Sequence, residues 1–352
     1  MENILNFTRE SLAIWLDAKG IRPFRANQIF KWIYLRQANG FDQMTDLSKA
    51  LRQTLNDHFD LPRLVLESRL ISSDGTQKFL YRLADGHDIE SVLIPEKDHF
   101  TVCISSQVGC AQGCRFCLTA NDGLVRNLTM AEIVAQVRDA RYDLAQKGID
   151  PLQLSNIVFM GMGEPLANYR NVIEALNILT DTDFGLKFAT RRITVSTCGL
   201  VPKITRLGQD TDVNLAVSLN ATTDAVRNQL MPVNSTYPLA ELLTACRTFS
   251  MKPRNKITFE YILIKGVNDT LADAQRLVKL LEPIKAKVNL IPFNPHPGSQ
   301  FDRPSKAHID AFLTHLLDRN MTAITRKSKG ADILAACGQL RSTRRAIASN
   351  FL

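Results

Sequence analysis

The chain has 352 residues, 45% hydrophobic and 22% charged, which is typical of a globular protein of one or two domains. It has no run of 18 apolar residues and no basic N-terminal segment, so we expect a cytoplasmic protein without membrane span or secretion signal. Seven cysteines indicate a reducing compartment and metal or redox chemistry. The net charge of +8 favours a polyanionic partner such as nucleic acid, although many basic enzymes bind none.

Residues 1 to about 70 are predicted to be helical, within a small accessory domain over residues 1–75. Three amphipathic segments occur there, and the spacing of Ile29, Trp32 and Ile33 in the second predicts buried positions. Four basic residues could form one face, namely Arg22, Arg25, Lys31 and Arg36. This face would either bind RNA phosphate or be an ordinary solvated surface, and the pattern leaves both open.

Residues 76–98 are predicted to be a β-hairpin linker. Two β-rich runs begin at Gln77 and Asp88, and the turn signal Asp85-Gly86 lies between them. Glu90 lies inside the second run among apolar residues. A lone carboxylate in a strand is usually its solvent-facing member, so position alone assigns Glu90 no role.

Residues 99–325 alternate between predicted strands and helices. The strand candidates are Thr101–Ser105, Asn156–Met160, Arg192–Ser196, Asn214–Leu219, Ile257–Ile264 and Val288–Phe293. The clearest helix begins at Thr129, where Thr129 and Glu132 form a capping box. Such alternation predicts an α/β fold with parallel strands, and six units suit an open, partial (β/α)6 barrel better than a barrel of eight.

The loop after the first core strand contains Cys110, Cys114 and Cys117 in a CxxxCxxC pattern. Three thiolates without a nearby fourth suit a [4Fe–4S] cluster with one iron left open to a ligand. A structural zinc knuckle or a redox pair is the alternative. The pattern resembles the signature of radical S-adenosylmethionine (SAM) enzymes, which implies that the open iron binds SAM.

Polar or glycine motifs follow four further core strands. They are Gly161-Met-Gly-Glu-Pro-Leu, Ser196-Thr-Cys-Gly, Ser218-Leu-Asn and Asn294-Pro-His-Pro-Gly. Ligands of open parallel sheets and barrels bind over the carboxyl ends of the strands. We therefore expect these motifs and the cysteine loop to converge on one site.

Taken together, these motifs resemble the RlmN/Cfr family of radical SAM RNA methyltransferases. The resemblance also includes Cys103-Ile-Ser-Ser-Gln-Val-Gly, Asn289-Leu-Ile-Pro-Phe-Asn-Pro and Ala335-Ala-Cys-Gly-Gln-Leu. It implies methylation of C2 of an adenine in the peptidyl-transferase centre of 23S rRNA, and of an adenine beside the anticodon of some tRNAs. It also implies one [4Fe–4S] cluster, two SAM molecules per turnover and an electron donor such as flavodoxin or ferredoxin. We expect a monomer.

The resemblance assigns catalytic roles to three residues. Cys337 would accept a methyl group from SAM, and a deoxyadenosyl radical from a second SAM would abstract hydrogen from that methyl group. The carbon would then add to adenine C2 and form a covalent adduct with the RNA. Glu90 would remove the C2 proton, and Cys103 would release the product by forming a transient disulfide with Cys337. Without its motif, Cys337 would more often be a small buried residue.

The resemblance also implies a SAM-binding set. Its members are Gly163, Glu164, Ser196, Ser218, Leu219, Asn220 and Asn294. Gly163 and Glu164 would bind the methionine amino group, and the others the ribose and adenine. Many relatives have histidine where this chain has Asn220, but asparagine still offers a donor and an acceptor.

Residues 326–352 are predicted to form a C-terminal extension that carries the Cys337 loop. Its basic residues could steer RNA phosphate, and they are Arg326, Lys327, Lys329, Arg341, Arg344 and Arg345. For Arg344 and Arg345 a frayed basic tail is the alternative. Two other functions remain open, namely a Cfr-type C8-adenine methyltransferase and a non-catalytic Fe–S RNA-binding module. Gly163-Glu-Pro and Gln107-Val-Gly favour the C2 enzyme over the C8 enzyme.

Overall fold

The structure is a computed structural model that describes residues 1–296 and 298–341. Its first part is helical and contains β1 (Glu2–Asn3), α1 (Arg9–Ala18), α2 (Arg25–Phe30), α3 (Lys49–His58) and β2 (Phe59–Asp60). The side chains of Thr8 and Ser48 cap α1 and α3 by accepting hydrogen bonds from backbone N–H groups of the first turn. β1 pairs in parallel with β2 and so joins the two ends of this region. The three predicted helices are confirmed.

The second helical segment does not follow the predicted periodicity throughout. Ile29 and Ile33 are buried as expected, but Trp32 is only half-buried, and the guanidinium of Arg36 covers its ring at 4.1 Å from the centroid. The backbone widens into a π-turn over Lys31–Leu35. Such a turn contains an extra residue and shifts which positions face the core.

An antiparallel meander follows, made of β3 (Val65–Ile71), β4 (Gln77–Arg82) and β5 (Asp88–Pro95). The predicted turn between β4 and β5 is confirmed, with Gly86 at a φ of 85°. The expectation that helix extends to about residue 70 is wrong, because residues 65–71 form β3. Most side chains of β3 are exposed or half-buried, so the sequence carries little apolar periodicity there, and pairing with β4 determines the strand.

The core begins with β6 (Phe100–Cys103) and a small hairpin of β7 (Gln107–Gly109) and β8 (Leu124–Asn127), with α4 (Leu118–Asn121) between the two strands of the hairpin. The remaining strands are β9 (Leu154–Phe159), β10 (Ile193–Thr197), β11 (Asn214–Ser218), β12 (Ile257–Leu263), β13 (Ala286–Pro292) and β14 (Ala323–Thr325). The remaining helices are α5 (Met130–Gln146), α6 (Tyr169–Thr180), α7 (Val201–Asp210), α8 (Asp224–Leu230), α9 (Leu239–Arg247), α10 (Leu271–Leu281) and α11 (Lys306–Leu317). The predicted capping box begins α5.

A sheet of ten strands organises the molecule, in the order β14-β13-β12-β11-β10-β9-β6-β5-β4-β3. From β14 to β6 all neighbours are parallel, and from β6 to β3 they are antiparallel. All six predicted core strands occur, and the short β14 adds a further parallel strand at one edge. The α/β fold with an open parallel sheet is confirmed.

The region predicted as a linker contributes two strands to this sheet. β5 pairs with β6, and the register places Val92 opposite Cys103. Glu90 and Cys103 therefore lie on adjacent strands of one sheet. The boundaries of the four regions inferred from the sequence stay predictions. Among the described residues, no helix is long and apolar enough to cross a membrane.

Candidate active site

A cavity of about 870 Å³, here called the cofactor cavity, lies over the carboxyl ends of the core strands. Its walls contain the three clustered cysteines, five residues of the predicted SAM-binding set and Cys337. These are Cys110, Cys114, Cys117, Gly163, Glu164, Ser196, Ser218, Asn220 and Cys337. Leu219 and Asn294, the other two predicted SAM-binding residues, do not line this cavity.

A tight turn positions the cysteine loop. Gly109 precedes the loop with a φ of 75°, and a Cβ atom there would lie 1.9 Å from the carbonyl oxygen of Gly123. Only glycine can occupy this position, because any side chain would collide with the β8 end of the hairpin. The adjacent N–H of Cys110 donates to the same carbonyl oxygen at 2.8 Å. The loop is thereby anchored to the hairpin before its first cysteine.

The cysteine loop offers three thiols as candidate ligands of an iron–sulfur cluster. All seven cysteines are free thiols, so the three of the loop are available as ligands. Cys114 interacts electrostatically with both Cys110 and Cys117, which shows that the three thiols are close to one another. Three neighbouring thiols fit a [4Fe–4S] cluster, in which each thiolate binds a different iron.

Gly163 and Glu164 are constrained by the backbone around them. Gly163 has a φ of 94°, and a Cβ atom there would lie 2.5 Å from Cβ of Gln107. Both carboxylate oxygens of Glu164 accept backbone hydrogen bonds, from Cys198 N at 2.7 Å and Leu166 N at 3.0 Å. Burial raises the pKa of Glu164, while these hydrogen bonds oppose the shift. Glu164 thus joins the loop after β9 to the loop after β10, and spare lone pairs can still face a ligand.

Asn220 is buried and has a φ of 56°, in the left-handed region that asparagine tolerates better than most residues. Its Oδ1 accepts a hydrogen bond from Ile262 N at 2.9 Å, and its Nδ2 contacts Sδ of Met231 at 3.3 Å. Its carbonyl oxygen accepts from Nδ2 of Asn268 at 2.7 Å. The side chain therefore stabilises the ends of β11 and β12.

A second cavity of about 540 Å³, here called the thiol cavity, is lined by Cys103, Cys337, Asn294 and Arg326 among others. Cys337 lines both cavities and stands at their boundary. Burial and the neighbouring Cys337 raise the pKa of Cys103 to about 12, while Arg326 opposes the shift. Burial likewise raises the pKa of Cys337, again opposed by Arg326. The structure contains no disulfide between the two cysteines.

Glu90 is buried beside the loop that carries Cys337 but lines neither cavity. Its Oε1 forms an ion pair with Nζ of Lys78 at 2.9 Å, and its Oε2 accepts from the backbone N–H of Arg341 at 2.9 Å. Burial raises the pKa of Glu90, and both partners lower it. The earlier alternative, a solvent-facing carboxylate, is wrong.

The basic extension is less free than the sequence suggests. Arg326 is half-buried at the thiol cavity, and its Nη1 lies 3.9 Å from Oε1 of Glu260. Arg341 forms a bidentate pair with Asp122, with both distances at 2.9 Å. Neither is therefore a free surface charge for RNA phosphate. Arg344 and Arg345 lie outside the described residues.

Glu260, a buried carboxylate of β12, lies in the wall of the cofactor cavity and was not predicted from the sequence. Its Oε2 accepts a hydrogen bond from Oγ of Ser196 at 3.2 Å. Burial raises its pKa, opposed by Arg326 and by Ser196. The available signal was a lone carboxylate between Phe259 and Tyr261, inside a strand with no other charged residue.

Two protein families match this chain, and both are consistent with the site described above. Residues 2–61 match the family described as "Ribosomal RNA large subunit methyltransferase N-terminal domain", and residues 104–281 match the radical SAM superfamily. The chain is 58% identical to a dual-specificity RNA methyltransferase RlmN of Desulfosudis oleivorans over 96% of this chain and 90% of that protein. It is 55% identical to the corresponding protein of Geotalea uraniireducens over 96% of each.

A solved structure extends the similarity to three dimensions. A radical SAM methyltransferase from Sphaerobacter thermophilus matches with a TM-score of 0.90 and 45% identity, covering 97% of this chain and 100% of that one. The fold and the cysteine loop thus define a radical SAM enzyme. At more than half identity over nearly full length, the chain belongs to the RlmN family of dual-specificity RNA methyltransferases.

Proposed function

We propose that this protein methylates C2 of adenine in RNA, at position 2503 of 23S rRNA and position 37 of tRNA. The observation that carries the proposal is the place of Cys337, which lines both the cofactor cavity and the thiol cavity. One sulfur can therefore face a methyl donor on one side and a second thiol on the other. When bound at Cys110, Cys114 and Cys117, a [4Fe–4S] cluster supplies the electron for radical cleavage of SAM.

Cys337 takes the methyl group as a thioether before the RNA reacts. Its sulfur attacks the methyl carbon of SAM and loses its proton, which leaves S-adenosylhomocysteine as the second product. C2 of adenine is electron-poor and would not attack that carbon itself. A protein-held methyl group instead allows one hydrogen atom to pass to a 5′-deoxyadenosyl radical from a second SAM, which leaves 5′-deoxyadenosine, and the carbon to add to C2. Loss of the C2 proton and of one electron, which the cluster site would take back, would then restore the aromatic ring. The target adenine must be unstacked to reach the cavity.

Cys103 resolves the resulting adduct. Its thiolate attacks the sulfur of Cys337, the bond between that sulfur and the former methyl carbon breaks, and the electron pair of that bond moves to the substrate. The substrate then gains a proton, and a disulfide between the two cysteines remains. A cellular thiol reductant restores both thiols. The shared thiol cavity supports this pairing.

Glu90 is proposed as the base that removes the C2 proton. Burial raises its pKa, which favours proton uptake, and Lys78 beside it offsets the negative charge before uptake. Because Arg341 N donates to its Oε2, an adenine must displace the end of the Cys337 loop to meet it. The RNA thus has to open the loop for the base to act.

The protein is proposed to work as a cytoplasmic monomer with an electron donor of the flavodoxin or ferredoxin class. Its free cysteines suit a reducing compartment. The net charge of +8 suits an RNA partner, and the basic face of the N-terminal region is one candidate contact.

The decisive experiment uses anaerobically reconstituted protein, SAM, a reductant and a 23S rRNA fragment, analysed by mass. Wild type is expected to yield 2-methyladenosine, and Cys103→Ala is expected to accumulate RNA cross-linked through Cys337. Cys337→Ala should yield neither, and Cys246→Ala, at a buried cysteine outside both cavities, should behave as wild type. Formation of 8-methyladenosine alone would support the C8 alternative. Failure of the reduced protein to cleave SAM would support a non-catalytic RNA-binding module.

A further inference from the structure

Arg227, on α8, is a buried cation beside the cofactor cavity to which no role above is assigned. Its side chain is fully buried, with 0% exposed. α8 follows β11 after the segment Ser218-Leu-Asn, so the chain turns back and brings the guanidinium close to the strand ends that line the cavity. An arginine is rarely buried completely without a specific partner.

The guanidinium donates four hydrogen bonds, and every acceptor is neutral. Nε donates to the carbonyl oxygen of Leu219 at 3.1 Å, and Nη1 donates to Oδ1 of Asn234 at 2.9 Å. Nη2 donates to the carbonyl oxygens of Cys198 at 2.7 Å and Ser218 at 3.2 Å. One rigid group therefore ties the end of β11 to the loop after β10. These two segments carry Ser196, Ser218 and Asn220 in the cavity wall.

Because its acceptors are neutral, the charge of Arg227 is not cancelled within its own hydrogen-bond shell. Burying such a charge costs on the order of several kcal/mol unless an anion offsets it. The groups with which Arg227 interacts electrostatically are, in order of strength, Cys198, Cys114, Asp224 and Cys246. Cys114 is one of the three thiols of the cluster loop, and it is a thiolate when it binds iron. Asp224 is a carboxylate at neutral pH and offsets part of the charge of Arg227, and a loaded cluster site adds further negative charge near it.

Gly199 makes room for this arrangement. It has a φ of 115°, and a Cβ atom there would lie 3.2 Å from Nη2 of Arg227 and 3.2 Å from Leu242. A larger residue would press on the guanidinium and on the core behind it. Gly199, the last residue of the Ser196-Thr-Cys-Gly motif, is therefore needed for the packing of Arg227 as well as for the turn.

We propose that Arg227 is a positioning residue of the cofactor site: it ties the ends of β10 and β11 together for SAM binding, and its buried charge raises the reduction potential of the cluster. The proposal rests on the proposed function, since it requires a cluster at Cys110, Cys114 and Cys117. Reduction adds one electron, from the electron donor, to a site that already carries three thiolates. A nearby cation stabilises the reduced, more negative state more than the oxidised one. No bond of Arg227 changes.

The test compares Arg227→Met, Arg227→Gln and Arg227→Lys in the reconstituted full chain. Iron content, the cluster midpoint potential from a redox titration followed by electron paramagnetic resonance, and the Kd for SAM are measured. In the two neutral variants, the ratio of reduced to oxidised cluster at a given potential is expected to be about tenfold lower. For a one-electron couple, this corresponds to a midpoint potential about 59 mV lower. The lysine variant should keep a potential near that of wild type, since it keeps the charge. All three variants should bind SAM about tenfold more weakly, because none of the replacement side chains can donate the four hydrogen bonds of the guanidinium.

Arg138→Met is the matched control. Arg138 is also fully buried, but it lies on α5 and lines neither cavity, so its replacement should change neither potential nor SAM affinity. Variants that load a full cluster with unchanged potential and unchanged Kd would overturn the proposal. If Arg227→Met does not fold, the glutamine and lysine variants decide, since equal potentials in both would exclude the charge effect. A wild type that binds no cluster would instead overturn the proposed function.

Discussion

At the scale of single residues, burial determines the ionisation of the cysteines. Burial raises the pKa of Cys103 and of Cys246 to about 12, although only Cys103 lines a cavity. A thiol in such surroundings is protonated at neutral pH, so the attack proposed for Cys103 would depend on a small thiolate fraction. Arg326 increases that fraction by lowering the pKa of Cys103 from the value that burial alone would give. The raised pKa of Cys246 does not indicate a catalytic role, because burial accounts for it.

The raised thiol pKa values predict that the stability of the cluster-free protein falls as pH rises from about 9 to about 12. In this window the unfolded chain has lost the thiol protons that the folded chain still holds, so deprotonation favours unfolding. Each such thiol contributes about 1.4 kcal/mol per pH unit to this slope, and its stabilisation is fully present below pH 9. Urea unfolding of wild type and Cys246→Ala between about pH 8 and about pH 10 measures how the free energy of unfolding changes with pH.

Cys246→Ala should show a shallower loss of stability than wild type above pH 9, and Cys103→Ala a similar reduction. Equal slopes in all three proteins would show that these thiols ionise normally in the folded state.

At the scale of elements, the loop that carries Cys337 is held by the antiparallel meander. Asp332 accepts hydrogen bonds from Oγ of Ser72 at 2.5 Å and from the N–H of Ser73 at 3.1 Å. Nζ of Lys78 donates to the carbonyl oxygen of Leu334 at 3.2 Å. Only β4 and β5 of the meander were predicted, as a hairpin linker, yet the turn between β3 and β4 holds the loop on which the proposed chemistry depends.

We expect Asp332→Ala to loosen this loop without affecting the cluster. Amide hydrogen exchange over residues 330–340 should become faster, and RNA methylation should fall at least about threefold, because misplacement of a reacting group lowers the rate. Iron content and the Kd for SAM should stay as in wild type. Asp318→Ala, an exposed aspartate at the end of α11, is the control. Unchanged exchange in Asp332→Ala would mean that other contacts suffice to hold the loop.

At the scale of the whole molecule, a buried ion pair joins the N-terminal region to the core. Asp139 of α5 accepts hydrogen bonds from Nη1 of Arg63 at 2.7 Å and from the N–H of Leu64 at 2.7 Å. The guanidinium of Arg63 also stacks on the ring of Tyr142, 3.8 Å from its centroid. This cluster lies just beyond the matched N-terminal region and fixes how that region meets α5.

Asp139→Ala is expected to lower the free energy of unfolding by about 3–5 kcal/mol, since it leaves a largely buried guanidinium without its partner. Glu174→Ala breaks the exposed pair with Arg170 and should cost no more than about 0.5 kcal/mol. Urea unfolding measures the loss of free energy of unfolding in both variants. Limited proteolysis should cut the Asp139→Ala variant between residues 61 and 65. Similar small losses in the two variants would show that the N-terminal region is held mainly by apolar contacts.

Local patterns predicted much of this molecule. The turn at Gly86, the capping box of α5 and the six core strands depend on residues close in sequence, and all are confirmed. The edge strand β3 was missed because its pairing with β4 determines it, and the π-turn after α2 was missed because it departs from regular helical spacing. Propensity alone does not report such partners.

The sequence by itself determined the cysteine loop, the motifs at the strand ends and the family, because residue type and short spacing specify them. Only the tertiary structure decided that Cys337 lines two cavities, that Arg227 is buried beneath the strand ends and that Glu90 is covered. The bond from Arg341 N to Glu90 joins residues 251 positions apart. Contacts at that separation exist only after the sheet and its C-terminal loop have packed together, so no local pattern can encode them.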